Sequence, residues 1–334
     1  MGENLKQTKD EVSLFLFITF LITFVMGGFM LYVHKTMINV NLATFAEVQM
    51  FYPAFVVIAL KMFYYKEEIN NNILIFYKIY IGLFIISFAI QILGVFLFPH
   101  KLEIVQAIVL SIFSIVTFSL VTKNKENCFD KINMVFGKNF KMVIILALIF
   151  FILKLVVSLV YAILPGQVFS ISGNDISKTI LSIITIPINI VLIWTMFFGE
   201  EFAWRGYLQP RLQVMFGKKL GVIILGVIWG FWHFPLCFML YSPATPILCV
   251  ISHVFYCTII GVFLGYVYMK TGNLWSVIII HIINNSSLSA EAGYGAILTL
   301  KDVAISILLF AIVYLPFIFT KEYKADKNEF NIQE

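Results

Sequence analysis

The chain is 334 residues long, with 61% hydrophobic, 16% aromatic and only 12% charged residues, about half the charged share of a soluble domain. Its formal net charge of +5 is too small to indicate a nucleic-acid partner, and a mean hydropathy of +0.96 excludes a soluble globular protein. The composition is that of an integral membrane protein with the lipid bilayer as its first partner. The four cysteines, Cys128, Cys237, Cys249 and Cys257, have no CxxC spacing, which excludes a zinc ribbon or a disulfide framework. Cys237 and Cys249 flank one short loop and could pair there, but a bridge is not the expected state.

A membrane-spanning helix takes about 20 mostly apolar residues, and ten stretches meet or approach that length. In chain order they are Leu14–Val33, Ala46–Tyr65, Ile73–Phe98, Ile104–Val121, Val143–Leu164, Ile180–Leu208, Leu220–Leu240, Ile247–Met269, Leu274–Leu288 and Val303–Phe319. The polar start Met1–Ser13 leads into a long apolar run with no small-residue cleavage site, so the first stretch is read as a span rather than a cleaved signal peptide. The fourth stretch is marginal and the ninth is short. The predicted fold class is an all-α polytopic transmembrane bundle of about ten spans, or eight or nine if those two lie flat or re-enter the bilayer.

The loops carry a directional signal. Lys123, Lys125, Lys131, Lys138 and Lys141 follow the fourth stretch, and Arg211, Lys218 and Lys219 follow the sixth. Lys61 and Lys66 follow the second, Lys270 ends the eighth, and Lys321, Lys324 and Lys327 lie in the tail. If every stretch spans, all of these fall on one side, opposite the uncharged loop Ser242–Pro246. The positive-inside rule then predicts a multi-pass plasma-membrane protein with both termini in the cytoplasm. The Lys-, Ile- and Asn-rich composition points to a low-GC bacterial source. The lysine-rich connection divides the chain into N-terminal helices of unknown role (1–141), a second half holding nearly all the chemistry-bearing residues (142–320), and a polar tail (321–334).

Within that second half, Glu200, Glu201 and Arg205 fall within six positions of an apolar run. A charge at membrane depth costs at least about 2.5–3.5 kcal/mol unless it pairs or faces a wet cavity. Helical spacing lets Glu201 pair with Arg205 one turn on, while Glu200 points about 100° away and is left to face a cavity. His233 in the seventh stretch, and His281 with Asn285 in the ninth, supply the other polar groups at depth. A desolvated carboxylate beside imidazoles suits hydrolysis, with the acid taking a proton from water and imidazole or amide donors meeting an oxyanion. Glu200, His233 and His281 also meet the three-ligand count of a catalytic zinc site, although the HExxH signature is absent; zinc and no metal at all stay open as cofactor readings. Pro235, just after His233, is expected to break that helix, and the freed carbonyls then need protein or water partners.

The pattern EExxxR at Glu200–Arg205, an aromatic four residues before His233, and HxxxN at His281–Asn285 resembles the CPBP family of intramembrane proteases. That family includes the type II CAAX prenyl endopeptidases (CAAX prenyl protease 2-like) and the Abi-type proteins linked to bacteriocin self-immunity. The flanking Gly206-Tyr207-Leu208 and Thr271-Gly272-Asn273-Leu274-Trp275 fit as well, and the resemblance covers roughly 187–287. It implies an intramembrane endopeptidase, glutamate- or metal-dependent, acting on a membrane protein, peptide or lipid-modified substrate. By position it assigns water activation to Glu200 with His233, the oxyanion to His281 with Asn285, and a supporting ion pair to Glu201 and Arg205. One departure is Trp229, where the family usually has Phe; altered packing is the expected result.

Other readings stand beside this one. The acids and Arg205 can be read as a structural knot, and the chain as a non-catalytic immunity or scaffold protein or as an ion-coupled transporter, although no inverted repeat is seen. His281 with Asn285 can act as polar glue between helices. His253 has no motif partner and is expected to pack or hydrogen-bond. His34 and His100 fall at membrane edges. Lys154 sits mid-helix, where it can snorkel, pair with an acid or meet a substrate carboxylate.

Overall fold

The computed structural model describes residues 2–123, 128–163, 173–286 and 294–324. The ends of the predicted stretches at Leu164 and Leu288, Lys125, and the tail lysine Lys327 lie outside them. The described residues are helical with connecting turns. Helices α1 (Gly2–Thr36), α2 (Ala43–Gln49), α3 (Tyr52–Ala59), α4 (Asn71–Leu97) and α5 (Leu102–Thr122) form the first half; a short, wider π-type turn, Leu60–Tyr64, extends α3. The second half holds α6 (Phe140–Ile163), α7 (Gly173–Leu192), α8 (Trp194–Glu201), α9 (Gln209–Phe216), α10 (Lys218–Trp232), α11 (Phe234–Leu236), α12 (Pro246–Thr271), α13 (Leu274–Asn285) and α14 (Leu300–Tyr314).

Among the described residues, seven helical stretches are long and apolar enough to cross a membrane, and two bent pairs raise the total to nine if each pair is one span. Large apolar side chains such as Leu21, Ile85, Ile108, Ile152 and Leu308 point outward. That placement is unfavourable in water but neutral against lipid tails, which are as apolar as leucine. The molecule is an all-α polytopic membrane bundle, as its composition predicts.

Two predicted spans are not straight. The sixth bends by 75° between Ile183–Leu192 and Trp194–Phe216. Ile193 leaves helical geometry there (φ −133°, ψ 7°), and α8 is held at its start by α5. The Trp194 indole donates to the Ser114 carbonyl at 2.9 Å, and the Ser114 and Thr195 hydroxyls bond at 2.7 Å. The seventh bends by 42° at His233, as Pro235 predicts, because proline lacks the N–H that would continue the ladder. The Trp232 carbonyl left at the break accepts from Gln49 Nε2 at 3.0 Å. The ninth, α13, has 12 residues, about 18 Å of rise against a hydrocarbon core of about 30 Å, so it does not cross by itself.

Small residues set the closest approaches. Gly226 and Gly230 of α10 lie against α12, where an added Cβ would come within 2.4 Å of Thr258 Cα and 2.5 Å of Val254 Cα. This GxxxG spacing lets two backbones meet with no side chain between them. Gly199 does the same for α8, since a Cβ there would fall 2.2 Å from the Met50 carbonyl oxygen at the α2–α3 junction.

Candidate active site

α8 passes directly into a stretch of π-type helix, Phe202–Leu208, a widened turn often found at functional sites. Glu200, Glu201 and Arg205 are all buried, the last two completely. Glu201 and Arg205 pair as predicted, Arg205 Nη1 lying 2.9 Å from Glu201 Oε1. The same oxygen accepts from His281 Nδ1 at 2.7 Å, a link between α8 and α13 that helical spacing does not reveal. Arg205 is further covered by the Trp229 ring, 4.4 Å from its guanidinium carbon.

Glu200 has different partners. Its Oε2 accepts from the Trp229 indole at 2.6 Å and from the Trp204 indole at 3.3 Å, and among the described residues its Oε1 takes no bond. Trp229 therefore does more than fill the place of a Phe: it brings an indole N–H that phenylalanine lacks. The expectation of altered packing alone is corrected by this bond.

The break at His233 has a chemical consequence. The His233 backbone N–H turns to the Gly230 carbonyl at 3.2 Å, which frees the Trp229 carbonyl to accept from His233 Nδ1 at 2.8 Å. A carbonyl can only accept, so Nδ1 carries the proton and Nε2 is the bare nitrogen of the neutral ring. One residue, Trp229, thus orients the Glu200 carboxylate through its indole and the His233 ring through its carbonyl.

α13 is held at both ends. At its start, Asn273 accepts from the Trp275 backbone N–H at 3.1 Å and donates to the Val135 and Lys138 carbonyls at 3.1 and 2.9 Å. At its end, buried Lys154 of α6 donates to the Ile283 and Ser286 carbonyls at 3.4 and 3.0 Å and to the Asn284 carbonyl between them. A cation at the last carbonyls of a helix satisfies acceptors that have no partner within the helix and matches the negative end of its dipole. Lys154 therefore has a partner that none of its three sequence readings included. The Tyr256 hydroxyl donates to Asn284 Oδ1 at 2.6 Å, and Asn284 Nδ2 donates to Asn285 Oδ1 at 3.2 Å.

Glu200, His233, His281 and Asn285 all line one cavity of about 280 Å³, whereas Glu201 and Arg205 stand behind it. The cavity also takes in residues outside the three motifs. Glu47 comes from α2, Tyr241 from the helical turn before α12, Tyr294 from the segment between α13 and α14, and His253 and Cys257 from α12 itself. A lone acid near the start of the second apolar stretch was the available signal for Glu47; nothing local marks His253. The His253 ring centroid lies 4.4 Å from that of His233, so it belongs to the cavity rather than to helix packing. Among the described residues, the trio whose metal-ligating atoms converge, all within 4.8 Å of one another, is His233, His253 and Cys257. All four cysteines are free, so Cys237 and Cys249 form no bridge.

Residues 181–287 match the family model described as Type II CAAX prenyl endopeptidase Rce1-like. This stretch is similar to the Rce1-like family. It runs from α7 to just beyond the described end of α13 and contains all six of the motif residues: Glu200, Glu201, Arg205, His233, His281 and Asn285. The CAAX prenyl protease 2 of Methanococcus maripaludis is 29% identical over 133 residues, which is 37% of this chain and 47% of that protein. The match thus spans about half the length of the curated relative. No solved structure matches the chain. The Rce1-like stretch contributes both bent pairs and α13, while α1 to α6 lie outside it and supply Glu47 and Lys154 to the same region of the molecule.

Proposed function

We propose that this protein is an intramembrane endopeptidase that hydrolyses a peptide bond in a membrane-associated or lipid-modified protein or peptide. The observation that carries the reading is one cavity lined by a buried carboxylate, two imidazoles and an amide, the first three oriented from behind by bonds to other residues. The similarity of residues 181–287 to the Rce1-like family supports the same chemistry, and the similarity to a CAAX prenyl protease 2 supports a prenylated CAAX protein as the substrate class.

Each residue has a task in this reading. Glu200, held through Oε2 by two indoles, takes a proton from water through its other oxygen and returns it to the leaving amine. His233 presents Nε2 to the same water and fixes its direction. His281, when protonated on both nitrogens, and the Asn285 amide donate to the oxyanion of the tetrahedral intermediate; one such donor is worth about 10²–10³ in kcat. Glu201 orients His281 from behind, as the third member of a triad does, and Arg205 balances its charge. The lysine distribution supports cytoplasmic termini in the plasma membrane of a bacterium.

Glu200→Gln keeps the size and the indole bonds of the side chain but removes the base. Membranes carrying wild-type protein should contain cleaved products that are missing from membranes carrying the variant at equal expression, as read by comparative proteomics of peptide termini. Undiminished cleavage by the variant would end the proposal. Cleavage lost on chelation and restored by zinc would reassign Glu200, His233 and His281 from water activation to metal ligation.

A further inference from the structure

His253 has no role in the hydrolytic reading, yet it is a half-buried imidazole that lines the same cavity. It makes no hydrogen bond among the described residues, its neighbours being the rings of His233, Tyr241 and Tyr256 at 4.4, 5.3 and 5.9 Å. A polar group at membrane depth is stable only where it is satisfied, and this imidazole lines the cavity beside His233, where it is placed to take a ligand. Cys257 follows four residues later on α12 and is almost fully buried; residues at that spacing share a helix face. His233 arrives from the opposite helix because the Gly226 and Gly230 contacts bring α10 against α12. Its Nδ1 is already bonded to a carbonyl, the outer-shell arrangement that directs an imidazole's other nitrogen at a metal.

We propose that His233, His253 and Cys257 form a binding site for a borderline-soft transition ion of the zinc class, distinct from the Glu200–His233–His281 trio. Two imidazoles and one thiolate are a ligand set suited to Zn²⁺, and three protein ligands leave a fourth position for water or another group in the cavity. Metal bonds of about 2.0–2.3 Å place tetrahedral ligand atoms about 3.3–3.6 Å apart. The three atoms, within 4.8 Å of one another, need draw together by no more than about 1.5 Å, within reach of side-chain rotation. Binding transfers the Cys257 thiol proton to solvent and leaves the metal's oxidation state unchanged. Because His233 is shared, an ion held here and a His233 free to direct water are mutually exclusive states; that consequence rests on the proposed hydrolysis, whereas the site itself does not.

The test is titration of the full-length, detergent-solubilised protein with Co²⁺ alone, followed by displacement with Zn²⁺. The expected result is one equivalent of cobalt with tetrahedral d–d absorption and a thiolate-to-cobalt charge-transfer band, both removed by zinc. Loss of an outer-shell partner alone costs about 10–100-fold in metal affinity, so His253→Ala and Cys257→Ser should each weaken binding by about 100-fold or more. Cys257→Ser should also abolish the charge-transfer band. Cys249→Ser, which leaves the trio intact, should keep both signals, and size-exclusion profiles establish that each variant is folded. Unchanged cobalt spectra in His253→Ala or Cys257→Ser, or loss of the band in Cys249→Ser alone, would overturn the assignment. These readouts are independent of cleavage, so failure of the hydrolytic reading would leave them standing.

Discussion

At the scale of single residues, Glu200 and Glu201 are adjacent in sequence and opposite in circumstance. Glu201 is closed in, one oxygen accepting from both Arg205 and His281. Among the described residues its second oxygen and the Arg205 Nε and Nη2 are without hydrogen-bond partners, so the Trp229 face over the guanidinium supplies part of the compensation. Removing one partner of a buried pair leaves an uncompensated charge at a cost of about 3–5 kcal/mol. Glu201→Gln should therefore lower the midpoint of thermal unfolding in detergent markedly, whereas Glu200→Gln should leave it nearly unchanged. Equal midpoints for the two variants would mean that the pair carries no structural weight. The contrast follows from geometry: Glu200 can lose its charge and keep its indole bonds, but Glu201 balances a guanidinium that has nowhere else to turn.

At the scale of elements, the site depends on helices that are broken, short or unusually close. Pro235 ends α10 at His233, and the freed Trp229 carbonyl orients the imidazole. α13 is too short to be steadied by lipid along its length, so its position comes from Asn273 at one end and Lys154 at the other. Lys154→Met keeps most of the side-chain volume and removes the donors from three carbonyls. Buried acceptors left without partners cost about 1–3 kcal/mol each, so the C-terminal end of α13 should exchange its amide hydrogens faster. If the proposed function holds, kcat should fall while KM changes little, because Lys154 positions Asn285 without lining the cavity. Unaltered exchange in α13 would show that the cap is dispensable.

At the scale of the whole molecule, the first half of the chain packs against the Rce1-like stretch and completes it. Gly199 admits the Met50 carbonyl against α8, Gln49 caps the α10 break, and Thr23 of α1 accepts from the Trp232 indole at 2.8 Å. Arg211, just after the site, pairs with Glu11 of α1 at 2.8 Å. Lys218 donates to the Lys324 carbonyl at 3.2 Å, so α1 and the end of the described chain both meet the α9–α10 turn on one face, which the proposed orientation makes cytoplasmic. Small epitope tags fused at either end should be reached by antibody only after the membrane is permeabilised; detection of one tag on intact cells would split the termini between the two faces.

Much was legible before any coordinates. Hydropathy alone established an all-α membrane bundle, because about 20 apolar residues in succession admit few other fates. The Glu201–Arg205 pair and the break at Pro235 were legible too, since both are decided within one or two turns of the same helix. The 75° bend after Ile193 was not, because it is held by Trp194 and Thr195 bonding to a helix some 80 residues earlier. Nor was the Lys154 cap, whose partners lie about 130 residues on, or the meeting of His233 with His253, which follows from where two glycines let α10 and α12 cross. Sequence by itself determined which residues are too polar to be left in lipid and which helix face each occupies, because those follow from local periodicity and the cost of burying charge. Only the tertiary structure decided which of them meet, because that depends on crossing points and long-range bonds that no single helix encodes.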